Sequence, residues 1–364
     1  MLKVINVIGA RPNMMKVAPI VAAMKRRERE FTPLLVHTGQ HYDEAMSEAF
    51  LRDLELPIPD VHLEVGSASH AAQTAAVMQR FEPVILRERP DWVLVVGDVN
   101  STLACALVCS KLGVKLGHVE AGLRSRDRTM PEEINRVLTD QIADLLFTPS
   151  KDADENLLAE GIDPQRIKFV GNIMIDSLVK HLEAAKNSRA AIDLGVAGKD
   201  YAVLTLHRPS NVDECETLSR ILGAVAALAQ RLPVIFPVHP RTRKTIAGFG
   251  LEQEIARQGV QMIAPMPYLD FLNLYSGARV VLTDSGGLQE ETTFLGIPCL
   301  TLRGNTERPI TVGLGTNIVV GTDPQRISTA AFAALDGSNT RPHSVPPLWD
   351  GQTANRILDA LVHL

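Results

Sequence analysis

Short, almost uninterrupted apolar stretches recur along the chain, each followed by a turn and then a helical pattern. Residues 4–8 (VINVI), 91–96 (DWVLVV), 114–119 and 145–148 lack the polar alternation of a strand that faces water on one side. A strand reads this way when both of its faces are buried, and that condition is met in a parallel sheet flanked by helices. Residues 31–38 and 167–170 are further strands, and in the second half the same rhythm gives strands near 201–206, 233–238, 260–263, 279–283, 297–302 and 317–320. Strands alternating with helices predict an α/β fold with parallel, doubly wound sheets. A helix is also expected to start in residues 39–46, after the second strand.

A chain of 364 residues is long enough for about two domains. The pair Gly171-Asn172 closes the first run of strands, so the expected domains are 1–172 and 173–351. A periodic helix over 352–364 follows a Pro-rich connection and is expected to return to the first domain. The net charge of −5 leaves no basic excess to neutralise phosphates, which argues against nucleic acid or an anionic membrane as partner. No apolar run approaches the ~20 residues of a membrane span, and the N-terminus reads as a core strand, not a signal peptide. Cys105, Cys109, Cys215 and Cys299 show no CxxC pairing. They read as buried reduced thiols, which suits a cytoplasmic protein.

In open α/β sheets ligands bind outside the carboxyl ends of the strands, so the residues that leave those ends are the candidate site. The first strand runs into GARPNMMK, where a helix N-terminus with Arg11 and Lys16 suits an anion. It is not the GxGxxG fingerprint, because the second and third glycines are missing. Asp98 leaves the strand at 91–96, and Glu120 leaves the strand at 114–119. The stretch HVEAGLRSRDRTMPEEINR (118–136) packs four acidic and four arginine side chains. Its Glu132-Glu133 pair follows Pro131 and is expected to open a helix. By itself this stretch also reads as a solvated charged loop.

In the second half His207 and Arg208 follow one strand, and His239, Arg241 and Arg243 follow another; a lone histidine there is as readily structural as catalytic. The sharpest signal is DSGGLQEE (284–291). Two glycines at a helix start let backbone N–H groups approach a diphosphate, and Glu291, about a turn on, can reach sugar hydroxyls. Arg303 and Arg308 add cations on the same side.

GARPNMMK, GDVNST, HVEAGLR, PEEINR, DSGGLQEE and TERP occur together and in this order. With them the chain resembles the non-hydrolysing UDP-N-acetylglucosamine 2-epimerases over nearly its whole length. The resemblance implies a glycosyltransferase-B-like fold: two Rossmann-like domains face each other across a cleft, and the C-terminal helix crosses back to the first. It implies that Asp98, Glu120 and Glu132 are catalytic carboxylates and that His207 sits near the leaving phosphate. It implies that Arg11 and Lys16 face the diphosphate and sugar, and that Phe271, Ser285, Gly286, Gly287, Glu291 and Arg308 bind UDP. A homodimer and, in some bacterial members, activation by substrate at a second site are also implied. Ala10 and Asn13 stand where the family often has Thr and Glu, HRPSN stands for HRREN, and Met266 for a Gln near the uracil. These departures leave the sugar's substituents and any activation open.

Inverting C2 of such a sugar breaks a C–H bond with no adjacent carbonyl. Oxidising a neighbouring hydroxyl with NAD would need a dinucleotide site, which the sequence does not show. Elimination of UDP to a 2-acetamidoglucal and re-addition needs only carboxylates and cations. The expected activity is therefore reversible conversion of UDP-N-acetylglucosamine to UDP-N-acetylmannosamine, feeding surface polysaccharide synthesis, with no cofactor and no metal. The alternatives are a 2-epimerase of a related UDP-2-acetamido sugar such as a diacetamido uronic acid, a glycosyltransferase of the same fold, and a non-catalytic nucleotide-sugar sensor.

Overall fold

Every paired strand in the structure runs parallel to its neighbours. The computed structural model describes residues 1–39, 53–337 and 343–363. The helix expected from residues 39–46 falls, after Gly39, outside the described residues. The chain divides into two units, Met1–Lys180 with Pro347–Leu364, and His181–Pro346.

The first unit runs β1 (Leu2–Ile8), α1 (Arg11–Arg26), β2 (Phe31–His37), β3 (Val61–His62), α2 (His70–Glu88), β4 (Trp92–Val96), α3 (Asn100–Leu112), β5 (Lys115–Val119), α4 (Pro131–Ile142), β6 (Leu145–Thr148), α5 (Lys151–Ala159), β7 (Ile167–Phe169) and α6 (Ile173–Ala185). Its sheet order is β3-β2-β1-β4-β5-β6-β7. All five residues of β4 are buried, and burying such a Val or Leu side chain contributes roughly 1.5–3 kcal/mol. Strand ends agree with the sequence reading to within a residue or two. The exception is β3, whose two residues are too few to show a pattern.

The second unit carries α7 (Ala190–Asp193), β8 (Ala202–Thr205), α8 (Pro209–Val212), α9 (Cys215–Ala229), β9 (Val234–Pro237), α10 (Pro240–Gly248), α11 (Glu252–Arg257), β10 (Val260–Ile263), α12 (Tyr268–Ser276), β11 (Val280–Thr283), α13 (Gly286–Leu295), β12 (Cys299–Thr301), α14 (Pro309–Gly313), β13 (Asn317–Val319) and α15 (Pro324–Leu335). Its sheet order is β10-β9-β8-β11-β12-β13, with a core of Leu204, Phe236, Val280, Leu282 and Leu300 against α9 and α15. Cys105, Cys109 and Cys299 are buried free thiols, but Cys215 is exposed, because it begins α9 where that helix meets solvent. Among the described residues no helix is long and apolar enough to cross a membrane.

The units part inside α6 and at Pro347, later than residue 172 and earlier than residue 352. Asn172 does not end a domain; its side chain accepts from Met174 N at 2.9 Å and so starts α6. The first half of α6 belongs to the first unit: Ser177 Oγ donates to Met15 O. Asp176 accepts from Thr353 N at 3.1 Å and Ala354 N at 2.8 Å, satisfying first-turn donors of the last helix, α16 (Thr353–Val362). That helix packs on α1, and buried Trp349 donates its indole N–H to Pro149 O at 2.9 Å.

Gly171 makes this return possible. Its φ is +92°, and a Cβ there would meet Leu348 O and lie 2.9 Å from the Leu348 carbonyl carbon. Gly171→Ala should cost about 1–3 kcal/mol, the usual cost of a non-glycine residue in a sparsely populated backbone region. Urea denaturation measures it; an unchanged midpoint would show that the Leu348 segment gives way freely.

Candidate active site

In each sheet the strand order reverses once, between β1 and β4 and between β8 and β11. Strands on either side of such a point send their connections to opposite faces, which leaves a crevice at their carboxyl ends. In the first unit the turn after β1 starts α1, with Arg11 as its first residue and Lys16 one turn on. Asn13 accepts from Gly9 N at 3.2 Å and Ala10 N at 3.0 Å and donates to Val96 O at 3.1 Å. It thus performs the back-reaching half of a capping box that Glu fills elsewhere, and it ties the turn to β4. Gly9 is required by close approach: a Cβ would lie 2.9 Å from Thr38 Oγ1 and 2.7 Å from Ser101 Cβ.

Glu120 leaves β5 with φ +70°, in the left-handed region that a side-chain-bearing residue rarely adopts. Its N–H and that of Ala121 both donate to Phe147 O, at 3.0 and 3.1 Å. Holding a residue this way costs of order 1–3 kcal/mol and marks a place where side-chain direction matters. The Glu120 side chain is 4% exposed and forms an ion pair with Lys16 of α1. Gly97 leaves room for that pair, since a Cβ on it would lie 2.9 Å from Lys16 Nζ.

Asp98, the residue after Gly97, keeps 29% of its side chain exposed and pairs with Arg136 of α4. Asn135 Nδ2 donates to Asp98 O at 2.9 Å. The same guanidinium pairs with Glu133, which also accepts from Ser125 N (2.9 Å), Ser125 Oγ (2.9 Å) and Arg126 N (2.8 Å). Burial alone would raise the Glu133 carboxyl, but the Ser125 N–H, the Arg136 charge and the Arg126 N–H outweigh it and hold the group below the usual carboxylate range. The Glu132-Glu133 pair therefore divides. Glu133 is buried and committed to its loop, while Glu132 is half-buried in the first turn of α4.

Behind these groups lies a polar cluster that sequence reasoning missed. His118 is fully buried, with Nδ1 2.6 Å from Asp140 Oδ1 and Nε2 2.8 Å from Gly97 O. The other Asp140 oxygen meets Arg124 at 2.7 Å and Gly122 N at 3.1 Å. Burial would raise the Asp140 carboxyl; His118 and Arg124 reverse that and keep it low.

In the second unit His207 follows β8, with 43% of its side chain exposed. Ser285 precedes α13 without capping it through its side chain, and the first residues of the helix are Gly286 and Gly287. A Cβ on Gly286 would lie 2.5 Å from Arg308 Nη1, so the glycine is what lets this arginine reach the helix start. Arg308 Nε is 2.8 Å from Glu290 and its Nη1 2.7 Å from Glu307. Glu307 also meets Arg303 at 2.8 Å and Arg208 at 3.7 Å, so one buried carboxylate collects three arginines beside the glycine turn. Phe271 is half-buried on α12, with its ring centroid 5.1 Å from that of Tyr275. The residues after β9 are differently engaged: Arg241 pairs with Asp213 at 2.6 Å and Arg243 donates to Ile263 O at 3.0 Å.

Glu291 is buried and accepts from Tyr268 Oη at 3.2 Å. Burial pushes its carboxyl up to about 7.

Two parallel α/β units, one with buried carboxylates at its switch point and the other with a glycine-opened, arginine-rich helix start, place the chain in the glycosyltransferase-B-like α/β class. A family model described as UDP-N-acetylglucosamine 2-epimerase matches residues 23–362, and the chain belongs to that family. A UDP-N-acetylglucosamine 2-epimerase of Methanococcus maripaludis is 42% identical over 365 residues, covering 99% of this chain and 98% of its own. A UDP-2,3-diacetamido-2,3-dideoxy-D-glucuronate 2-epimerase of Pseudomonas aeruginosa is 40% identical, covering all of both chains. The crystal structure of the Methanocaldococcus jannaschii UDP-GlcNAc 2-epimerase in complex with UDP-GlcNAc and UDP matches all of both chains with a TM-score of 0.91 at 40% identity.

The raised Glu291 carboxyl has a consequence for stability. Between its unfolded value near 4.5 and about 7, the folded state holds the proton more tightly than the unfolded state. Stability contributed by this group is therefore present below 4.5, falls as pH rises to about 7, and stays lost above it. Glu291→Gln should flatten that fall and stabilise the ligand-free protein at pH 8 by about 1–3 kcal/mol, at 1.36 kcal/mol per unit. Urea midpoints at pH 5 and pH 8 for both proteins check this; equal slopes would show that Glu291 is ionised without cost.

Proposed function

We propose that this protein interconverts UDP-N-acetylglucosamine and UDP-N-acetylmannosamine by eliminating and re-adding UDP. The observation that carries the reading is Glu120, a buried carboxylate in a strained left-handed backbone at a strand's carboxyl end, in a chain of this family. In the forward direction a carboxylate takes the C2 proton, the C1–O bond breaks, and its electron pair leaves with the β-phosphate of UDP. The C2–H pair becomes the C1–C2 double bond of a 2-acetamidoglucal. A carboxylic acid then protonates C2 from the opposite face, and UDP oxygen closes on C1.

Asp98, Glu120 and Glu132 share this proton traffic. Asp98 is half-exposed and held by Arg136, whereas Glu120 is buried against Lys16; the two environments differ, as suits an acid and a base that alternate. Arg11 and Lys16 serve the diphosphate and sugar. Ser285, Gly286, Gly287 and Arg308 take the diphosphate, since an uncapped helix start and a guanidinium both favour it. Glu291 takes ribose hydroxyls, Phe271 the base, and His207 the leaving phosphate. We also infer a cytoplasmic homodimer: the family resemblance supports the dimer, and the buried free thiols Cys105, Cys109 and Cys299 suit a reducing compartment.

A second reading rests on the Pseudomonas aeruginosa relative: a 2-epimerase of a UDP-2,3-diacetamido uronic acid. The chemistry at C2 is the same, and only the groups at C3 and C6 differ.

Incubation with UDP-N-acetylglucosamine alone in heavy water should give UDP-N-acetylmannosamine with deuterium at C2, followed by NMR. Asp98→Asn and Glu120→Gln should each slow C2 exchange by at least about 10²-fold, the lower range for an acid–base group. Wild-type exchange in both would remove the carboxylate assignment. Turnover of the diacetamido uronate alone would establish the second reading, and free N-acetylmannosamine would mean hydrolysis.

A further inference from the structure

Asp284 follows β11 directly, beside the end of β8, at the second unit's switch point. The sheet register pairs Thr283 with Thr205, and their hydroxyls meet at 2.6 Å. The next residues in each chain segment are brought together by that register. Asp284 is fully buried, and its carboxylate receives His207 Nδ1 at 2.7 Å, His207 N at 3.0 Å and Arg208 N at 2.9 Å. Asn211 Nδ2 adds a fourth contact at 3.1 Å and also donates to Leu302 O at 2.8 Å. Two backbone amides and an anchored amide side chain thus fix the carboxylate, and the carboxylate fixes the ring.

We propose that Asp284 is a positioning residue for the reaction: it holds His207 with Nδ1–H donated to the carboxylate, so that Nε2 is the nitrogen that serves the leaving diphosphate. This rests on the reading of His207 given above. When the C1–O bond breaks, Nε2–H donates to the phosphate oxygen that carries away the electron pair; on re-addition Nε2 recovers the proton. Burial would raise the Asp284 carboxyl, but the hydrogen bond and charge of His207 and the N–H groups of Arg208 and His207 bring it below its usual range.

The surrounding charges do not duplicate the role. Arg208 lies 3.7 Å from Glu307, and Arg303 and Arg308 also sit on Glu307, with Glu290 on Arg308. The donors come from His207, Arg208 and Asn211. Pro209 falls at the first position of α8, where a missing N–H costs nothing.

Asp284→Asn keeps the shape and removes the charge. Its kcat for C2 epimerisation should fall about 10²-fold, with KM changed by less than about threefold. The His207 ring should leave the single tautomer that carries its proton on Nδ1, which nitrogen NMR of isotope-labelled histidine reads. A kcat loss with the His207 tautomer unchanged is what a merely structural aspartate gives, and it overturns the proposal. Should the variant not fold, nitrogen NMR of isotope-labelled histidine in the wild-type protein decides: the neutral His207 ring must carry its proton on Nδ1, and the Nε2–H tautomer overturns the proposal. Full activity in His207→Asn would remove the underlying reading of that residue. An inactive His207→Asn beside an unchanged His207 tautomer in Asp284→Asn would overturn the role of Asp284 alone.

Discussion

Parallel strand pairing with a single reversal of strand order is the constraint on which both units depend. Parallel neighbours send all their carboxyl ends to one edge, and the reversal keeps the connections from covering it. In the first unit β1 and β4 flank that point and deliver the Arg11 turn and Asp98. In the second, β8 and β11 flank it and deliver His207 and Asp284. Each candidate group thus inherits its position from hydrogen-bonded register, which is far stiffer than a loop.

Charge is then managed locally by pairs. Lys16 with Glu120, Arg136 between Asp98 and Glu133, and Glu307 among three arginines place ions in low-dielectric surroundings. An unpaired ion there would be strongly destabilising, so such groups come as sets. One consequence is that removing a supporting partner changes the neighbour's orientation as well as its charge. The supporting residues Arg136, Asp140 and Glu307 are therefore as much part of the site's geometry as the groups that face substrate in the proposed mechanism.

Much of the fold is legible in the sequence. Continuous apolar runs announced the strands, and Gly286-Gly287 after a strand announced the close-packed helix start that Arg308 reaches. Three things were hidden. The left-handed backbone of Glu120 leaves no mark, because its cause is Phe147 O on the neighbouring strand. The division of Glu132 from Glu133 was invisible because two like charges in sequence differ only by about 100° of helix rotation. The role of Asn172 was hidden because Gly171-Asn172 reads as a break, although Asn172 begins the helix that caps the C-terminal return.

By itself the sequence determined the fold class, the strand edge that carries the candidate groups and the residue types present there, since burial and turn chemistry act through near neighbours along the chain. Only the tertiary structure decided which charge faces which. Asp98 meets Arg136 and His207 meets Asp284 across tens of residues of chain, and such pairings exist only once sheet register has fixed the distance between strand ends.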